Sequence, residues 1–311
     1  MIRAEEAVTS ADAPPIAPRL APPARRVRSN AEAAFLAGIA LNRLDQIVRA
    51  DPPWLGAWRQ RLALKNAAAA VRRMGLKEDE AQLRDAWNLR SAGGDPGPAG
   101  RVYGAWRSLA SRPPTIREKD LKTIAAWLGA AWSDALADIP SRLERSDRAA
   151  PFAAASIIAA TVAARPDAEL FAWRLGDGAL ARQMRWPVAV PLLMGEFHSE
   201  IFRTGRGRIQ PGGEDFERAI CLALVNAATE ACRLAEAIAR RAARLQAVAP
   251  KLRAKGAGEA LKLLLDDDAV AGSLTTPNLS RFASRRLFER LSTLDAVREL
   301  TGRATFRLYG L

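Results

Sequence analysis

Cysteine and histidine are scarce in this chain of 311 residues, which contains two cysteines and one histidine. Two cysteines exclude a disulfide framework of the kind that staples small secreted domains. Cys221 and Cys232 lie on one predicted helix, where a rise of about 1.5 Å per residue separates their Cα atoms by roughly 16 Å. Because a disulfide requires Cα atoms closer than about 7 Å, we expect two buried thiols in a reducing compartment.

Recognisable catalytic motifs are also missing. The one histidine, His198, lies between Glu196 and Glu200, which share a helical face while His198 points nearly opposite. This is not the His-Glu-x-x-His pattern of a zinc site, and we expect a helix-capping or core-edge histidine. No nucleophile elbow and no dinucleotide-binding glycine pattern is present. The sequence therefore favours no catalytic residue, no cofactor and no metal, with an enzyme of unrecognised type as the least favoured alternative.

Long apolar runs are absent as well. The longest uncharged apolar stretch, residues 149–164, has 16 residues and is mostly alanine. It is shorter than the ~20 residues that a membrane-spanning helix needs, so we predict a buried core helix. Glu5 and Glu6 stand near the start without a following apolar core, which argues against a secretory signal. We expect a cytoplasmic protein that does not enter a membrane.

The rest of the chain is predominantly helical by pattern. Hydrophobic residues make up 49% of it, and lysine and arginine exceed the acids to give a formal net charge of +13. Residues 1–28 are rich in proline and end in Arg25, Arg26 and Arg28, as in a disordered tail. Helical spacing and capping patterns then predict helices over about 29–50, 56–74, 78–90, around Tyr103 and Trp106, 115–137, 150–164, 167–184, 192–203 and 214–248. The tryptophans are expected to anchor the core.

The last 56 residues have a different character. A leucine-rich helix after Gly256 is followed by a short helix or turn over 266–274, and a second helix runs over 279–294. Residues 297–309 read as a β-hairpin with Thr301-Gly302 at the bend. This order predicts a winged helix-turn-helix. The expected fold is all-α, with a multi-helix domain over 29–255 and a small winged helix-turn-helix domain over 256–311 that contains one hairpin.

The predicted helix 279–294 has two different faces. At about 100° per residue, leucines and Ala283 share one face, and Arg281 and Arg285 share the other with Ser284 at its margin. Residues 279–311 hold seven arginines and three acids, a net charge of +4. A recognition helix needs one buried stripe and one that presents arginine to DNA. An amphipathic helix with solvated arginines, or a winged helix that docks a protein, remains the alternative.

Three other charged segments each allow a ligand-binding interpretation and a purely structural one. Residues 233–255 hold seven basic residues and only Glu236, which suits a phosphate-binding surface or a solvated helix face. The loop 203–208, with arginines at 203, 206 and 208, suits an anion cradle or, more simply, a surface loop, and it lacks the Lys-Ser/Thr of a P-loop. Asp266, Asp267 and Asp268 could attract a cation or merely end a helix.

Several segments resemble a bacterial family known as domain of unknown function 1403. The resemblance rests on residues 61–65, 78–86, 94–100 and 186–192 and on the ending 297–311, and it extends over most of the chain after the tail. Residues 299–303 are also similar to the C-terminal winged helix of other bacterial proteins, some of which carry Fic-type domains. The His-Pro-Phe motif of Fic enzymes is absent, so that activity is not implied. The family implies a bacterial cytoplasmic protein and leaves its function open.

These observations favour a DNA-binding protein, and specifically a transcriptional regulator. Arg281, Ser284 and Arg285 are expected to enter the major groove of double-stranded DNA, and Arg303 and Arg307 to contact phosphates. The helical domain would then provide homodimerisation or effector sensing. The alternative is a protein-interaction adaptor whose winged helix docks a partner. It predicts weak DNA binding that disappears by about 200 mM salt.

Overall fold

The structure, a computed structural model, describes residues 27–91, 93–205, 207–252 and 254–311. The predicted tail, with Arg25 and Arg26, lies almost entirely outside the described residues. Those residues form eleven α-helices, five short strands and several 3-10 turns. The helices are α1 (Asn30–Ala50), α2 (Leu55–Arg73), α3 (Glu80–Asn88), α4 (Gly97–Ser111), α5 (Glu118–Trp127), α6 (Ile139–Arg145), α7 (Ala150–Ala164), α8 (Glu169–Gln183), α9 (Phe216–Val248), α10 (Ala257–Asp266) and α11 (Arg281–Thr293). The strands are β1 (Arg203–Thr204), β2 (Gly207–Arg208), β3 (Val270–Ala271), β4 (Arg298–Glu299) and β5 (Leu308–Gly310).

Local sequence explains where most helices begin and end. At the start of α1 the hydroxyl of Ser29 accepts a hydrogen bond from the backbone N–H of Glu32 at 3.1 Å. Asp51 ends the same helix in the left-handed region, with φ of 44°. α3 opens with a reciprocal capping box between Asp79 and Gln82. The N-terminal caps of α1 and α3 satisfy backbone N–H groups that the helices leave unpaired.

The long helix α9 lies against α1, α7 and α2 in the centre of the helical region. The predicted role of the tryptophans as core anchors is confirmed, because Trp58, Trp106 and Trp173 are almost completely buried. The indole N–H of Trp58 donates to the carbonyl of Ala231 on α9 at 2.9 Å, which ties α2 to the central helix. Alanine is abundant along these buried faces and lets the helices approach closely.

Two expectations about α7 and α9 are also confirmed. The alanine-rich stretch forms the buried helix α7, and no helix of the described residues is long and apolar enough to cross a membrane. Cys221 and Cys232 are buried free thiols on α9. Burial raises the pKa of Cys221 to about 12 and that of Cys232 to about 11.

Several predicted boundaries were wrong. The helix predicted over 115–137 ends at Trp127, because Gly129 takes a φ of 77° and its neighbour Ala130 closes the turn on the carbonyl of Ala125. α6 follows as a separate short helix. The helix predicted over 192–203 is replaced by two 3-10 turns, at 193–196 and 200–202. The buried carboxylate of Asp177 on α8 accepts from the backbone N–H groups of Leu192 and Leu193, at 3.2 and 3.1 Å, at the start of this segment.

The C-terminal unit (residues 256–311) combines two helices with a three-stranded antiparallel sheet in the order β3-β5-β4. The hairpin of β4 and β5 was predicted, but its connection is longer than the predicted two-residue bend, and β3 was not foreseen. The described residues are thus mostly helical, as predicted, with small antiparallel sheets beside the helices. Phe288 on α11 stacks on Tyr309 on β5 with ring centroids 4.9 Å apart. The same hydrophobic core continues from this unit into the helical region.

Ion pairs fix the C-terminal unit onto α2, α3 and α4. Arg107 makes a bidentate pair with Asp267, at 2.8 and 2.7 Å. Asp268 is 1% exposed and accepts from Arg61 and from Nε of Arg84, the latter at 2.5 Å. Both arginines lower the pKa of Asp268 against the effect of burial. Asp267 and Asp268 therefore serve the attachment of the unit, because their carboxylates are paired with arginines.

Candidate functional site

A cleft of about 310 Å³ lies between the N-terminal half of α11 and the β4–β5 connection. We call it the arginine cleft. Its lining includes three arginines, at positions 281, 285 and 307, together with Glu289, Tyr309, Phe306 and the segment Gly272–Ser273. Two arginines come from successive turns of one helix and the third from the strand connection opposite. The fold thus brings together three of the five residues predicted to contact DNA.

The arginines of α11 are exposed and unpaired. Among the residues that the structure describes, neither Arg281 nor Arg285 makes a hydrogen bond or an ion pair. Arg281 stands in the first turn of α11, directly after the N-cap Ser280, whose hydroxyl accepts from the N–H of Ala283. A helix N-terminus carries partial positive charge. A cation there does not stabilise the helix, but it strengthens the attraction for an external anion.

Arg307 is held in the cleft by the strand connection itself. Its Nε donates to the carbonyl of Arg303 at 2.9 Å. A side-chain hydrogen bond with Tyr309 raises the pKa of Arg307. The stack of Tyr309 on Phe288 in turn fixes the phenol ring against α11. The position of Arg307 therefore depends on packing that periodicity alone does not reveal.

Two features of the cleft were missed by sequence reasoning. Gly272 donates its N–H to the carbonyl of Arg307 at 2.8 Å, and a Cβ added there would lie 2.8 Å from Cε2 of Tyr309. Only glycine permits this close approach of β3 to the ring. Phe306 adopts a φ of 54° and is 64% exposed, which is costly for a bulky residue and presents the ring to solvent. Neither requirement has a signature in the local sequence.

The other two predicted contact residues do not belong to the cleft. Ser284 is 0% exposed, and its hydroxyl has no hydrogen-bond partner in the described part of the chain. The prediction that Ser284 contacts DNA was wrong. Ser284 lies at the boundary between the two faces of α11, and its side chain is buried in the structure. Arg303 pairs with Asp85 on α3. That ion pair gives the charge of Arg303 an acid partner, although its side chain is 44% exposed.

A second basic surface lies at the end of α9. Burial, followed by charge repulsion from Arg298 on β4, lowers the pKa of Arg241. Arg244 on the same stretch pairs with Asp295, just after α11. Arg253 of the predicted basic segment lies outside the described residues.

The remaining predicted candidates have local structural roles. The guanidinium of Arg208 lies 3.7 Å from the ring centroid of Phe197 and donates to its carbonyl at 2.7 Å. Arg206 of the same loop is not among the described residues. His198 lies at the edge of the core, with Nε2 3.2 Å from the carbonyl oxygen of Ala69, and burial lowers its pKa. No group of His, Cys, Asp and Glu side chains within 27–91, 93–205, 207–252 and 254–311 has a metal-binding arrangement.

Comparisons with known proteins agree with the resemblance seen in the sequence. The chain belongs to a family described as "Protein of unknown function (DUF1403)", whose family model matches residues 5–311. No curated protein matches the sequence. The family description assigns no activity, so the function has to be argued from the arginine cleft and its surroundings.

Proposed function

Within this family of unknown function, we propose that the chain binds double-stranded DNA through the arginine cleft and acts as a transcriptional regulator. The observation that carries the proposal is the convergence of Arg281, Arg285 and Arg307 on one open cleft, the first two without a partner in the described part of the chain. Guanidinium groups bind phosphate oxygens and the O6 and N7 atoms of guanine through paired hydrogen bonds. The cleft contains one acid, Glu289, so its local charge is positive.

The order of elements supports a winged-helix variant. A helix, a first strand, a second helix and a hairpin follow one another, and the last strand lies between the other two. A turn at Thr276 and Leu279 occupies the position between β3 and α11. In this interpretation α11 is the recognition helix and the β4–β5 connection is the wing. The division into a helical domain over 29–255 and a DNA-binding domain over 256–311 belongs to the same proposal, as does a cytoplasmic location.

We propose fewer DNA-contacting residues than the sequence predicted. Arg281 and Arg285 would enter the major groove, and Arg307 would contact the flanking phosphate backbone. Arg303 and Ser284 are left out, because one is paired with Asp85 and the other is buried. The basic surface around Arg241 and Arg298 would add phosphate attraction without base selectivity.

The experiment is selection of bound fragments from a random duplex pool at physiological salt. We expect an enriched motif for the natural sequence and its loss in the Arg281→Ala/Arg285→Ala double variant. The matched control is Arg286→Ala/Arg290→Ala, which removes two exposed arginines of the same helix that do not line the cleft. Absence of an enriched motif, or its equal loss in both double variants, would contradict the proposal.

A protein-interaction adaptor is the second candidate, and the exposed aromatics favour it. Phe282 is 74% exposed beside Arg281, and Phe306 is 64% exposed at the cleft. Aromatic and arginine side chains together are typical of the centres of protein interfaces. This candidate predicts no enriched DNA motif and DNA binding that vanishes by about 200 mM salt. The same selection therefore distinguishes the two.

A further inference from the structure

A second cleft, of about 520 Å³, lies wholly within the helical region and is lined only by residues between 108 and 182. The end of α4, the connection to α5, α5 itself, α6 and α8 form its walls. We call it the helical cleft. It shares no residue with the arginine cleft, and its volume falls in the range of small-molecule sites, about 300–1,000 Å³.

Much of the lining is apolar. It is formed by Leu109, Ile116, Ile124, Trp127, Leu143 and Leu175. Gly178 on α8 lies among these side chains, and a Cβ added to it would meet nothing within 4 Å. Since α8 has ordinary helical geometry there, the glycine leaves open space without being required by the backbone. The helical cleft thus offers room for the apolar body of a ligand.

One buried cation faces this space. Arg174 on α8 is 5% exposed and lines the cleft. Its Nε donates to the carbonyl of Ala105 at 3.0 Å and its Nη2 to the hydroxyl of Ser108 at 3.1 Å. Within the described residues its Nη1 has no hydrogen-bond partner and no carboxylate is bonded to it. Burial lowers the pKa of Arg174 to about 10, and the carboxylate of Asp177 on the same helix partly offsets that effect.

The rim adds further positive charge. Arg112 is exposed and makes no hydrogen bond or ion pair with any described residue, and Arg182 donates to the carbonyl of Leu143 at 3.3 Å. The one acid of the lining, Asp120, is already occupied by Thr115 and Arg117, each at 2.9 Å. The charge in the lining that has no hydrogen-bonded acid is therefore cationic and close to the buried end of the cleft.

We infer that the helical cleft binds a small organic carboxylate with an aromatic or alicyclic body, whose carboxylate pairs with Arg174 and Arg112. The planar fork of a guanidinium matches a carboxylate in a bidentate geometry. A monoanion suits the site better than a phosphate dianion, because the lining is largely apolar and a second charge would cost more desolvation. In a DNA-binding protein this ligand would be an effector, but the binding site stands independently of that function.

Titration calorimetry with 1-naphthoate tests the inference, with 1-naphthamide as the uncharged probe of the same shape. We expect 1-naphthoate to bind once per chain and at least tenfold more tightly than 1-naphthamide, since a hydrogen-bonded charge is lost in the amide. Gly178→Leu fills the cleft and Arg112→Ala removes the rim cation. Each variant is expected to weaken 1-naphthoate binding about tenfold or more. Arg174→Lys keeps the positive charge but removes the planar guanidinium, and it is also expected to weaken 1-naphthoate binding.

Two control variants match these changes outside the cleft. Gly38→Leu adds the same side chain to a helical glycine on α1 that also has open space around it. Arg72→Ala removes an exposed arginine of α2 that does not line the cleft. Both are expected to bind 1-naphthoate like the natural sequence. Equal affinity for the two probes, no binding, or unchanged binding in Gly178→Leu would overturn the inference, whatever the DNA selection shows.

Discussion

Two groups of arginines surround the C-terminal unit, and they differ in what neutralises them. Arg61, Arg84 and Arg107 of the helical region are largely buried and paired with Asp267 and Asp268. The arginines of the arginine cleft face solvent, and the two on α11 have no partner among the described residues. The same side-chain type therefore attaches the unit on one side and leaves positive charge open on the other.

This difference distinguishes arginines whose charge holds the fold together from arginines whose charge is available to a ligand. A buried ion pair is costly to break, because each partner left alone stays desolvated. An exposed, unpaired arginine contributes little to stability and can exchange water for an external phosphate. Net charge alone does not distinguish these cases, since both groups contribute to the total of +13.

The largest effect is expected where the attachment is broken. Asp268→Asn removes the carboxylate that both Arg61 and Arg84 share, and leaves two buried guanidinium groups without an acid. We expect a loss of about 3–5 kcal/mol in the free energy of unfolding, measured by chemical denaturation. Asp266→Asn is the matched control, because Asp266 is exposed and its change should stay within about 0.5 kcal/mol. Equal losses in the two variants would refute the attachment role.

The pH dependence of two buried aspartates sharpens the same contrast. Burial, only partly offset by Arg174 and two N–H groups, raises the pKa of Asp177 to about 7, whereas Arg61 and Arg84 lower that of Asp268. A carboxyl whose pKa is higher in the folded than in the unfolded protein stabilises the fold fully at pH values below its unfolded-state pKa. This stabilisation is lost as the pH rises through its folded-state pKa. Between pH 5 and pH 8 the natural sequence should therefore lose about 2–3 kcal/mol relative to Asp177→Asn.

Denaturation of both proteins at several pH values measures this difference. The contribution of Asp268 has the opposite sign. Because the pKa of Asp268 is lower in the folded than in the unfolded protein, this carboxylate stabilises the fold fully above about pH 4. The stabilisation is lost as the pH falls through the folded-state pKa. If the free energies of unfolding of the natural sequence and of Asp177→Asn differ by the same amount from pH 5 to pH 8, the raised pKa of Asp177 is contradicted.

A smaller effect is expected in the salt dependence of DNA binding. Each arginine that contacts a phosphate releases counterions, so removal of one lowers the slope of log K against log salt by about 0.9. Arg285→Ala should weaken binding to a fixed duplex about tenfold if the arginine also reads a base. The slope and the affinity follow from fluorescence anisotropy at several salt concentrations. Arg286→Ala, on the same helix but outside the cleft, should change the affinity less.

Most of the fold could be predicted from the sequence because caps, prolines and helical spacing act locally. Gly129 shows the limit, since its left-handed turn splits a region whose apolar pattern continues. Asp177 shows another, because its buried carboxylate binds the N–H groups of Leu192 and Leu193 in a segment that forms 3-10 turns instead of the predicted helix. Neither feature is visible in spacing alone.

The candidate site was predictable to the extent that it lies on one helix. The four-residue spacing of Arg281 and Arg285 places them on one face, and the structure brings Arg307 opposite them. The pairing of Arg303 with Asp85 joins residues more than two hundred positions apart, and no local pattern encodes it. The helical cleft likewise forms from three separate stretches of the chain, 108–127, Leu143 and 174–182, so its arginines were not recognised as a group.

The most direct test of the account compares two arginines of the β4–β5 connection. Arg307→Ala removes a cleft arginine, and Arg303→Ala removes one that Asp85 already neutralises. Affinity for the selected duplex at physiological salt is measured for both, with the free energy of unfolding determined in parallel. The account predicts weaker binding, by about three- to tenfold, for Arg307→Ala alone. Equal or greater weakening in Arg303→Ala, at unchanged stability, would contradict it.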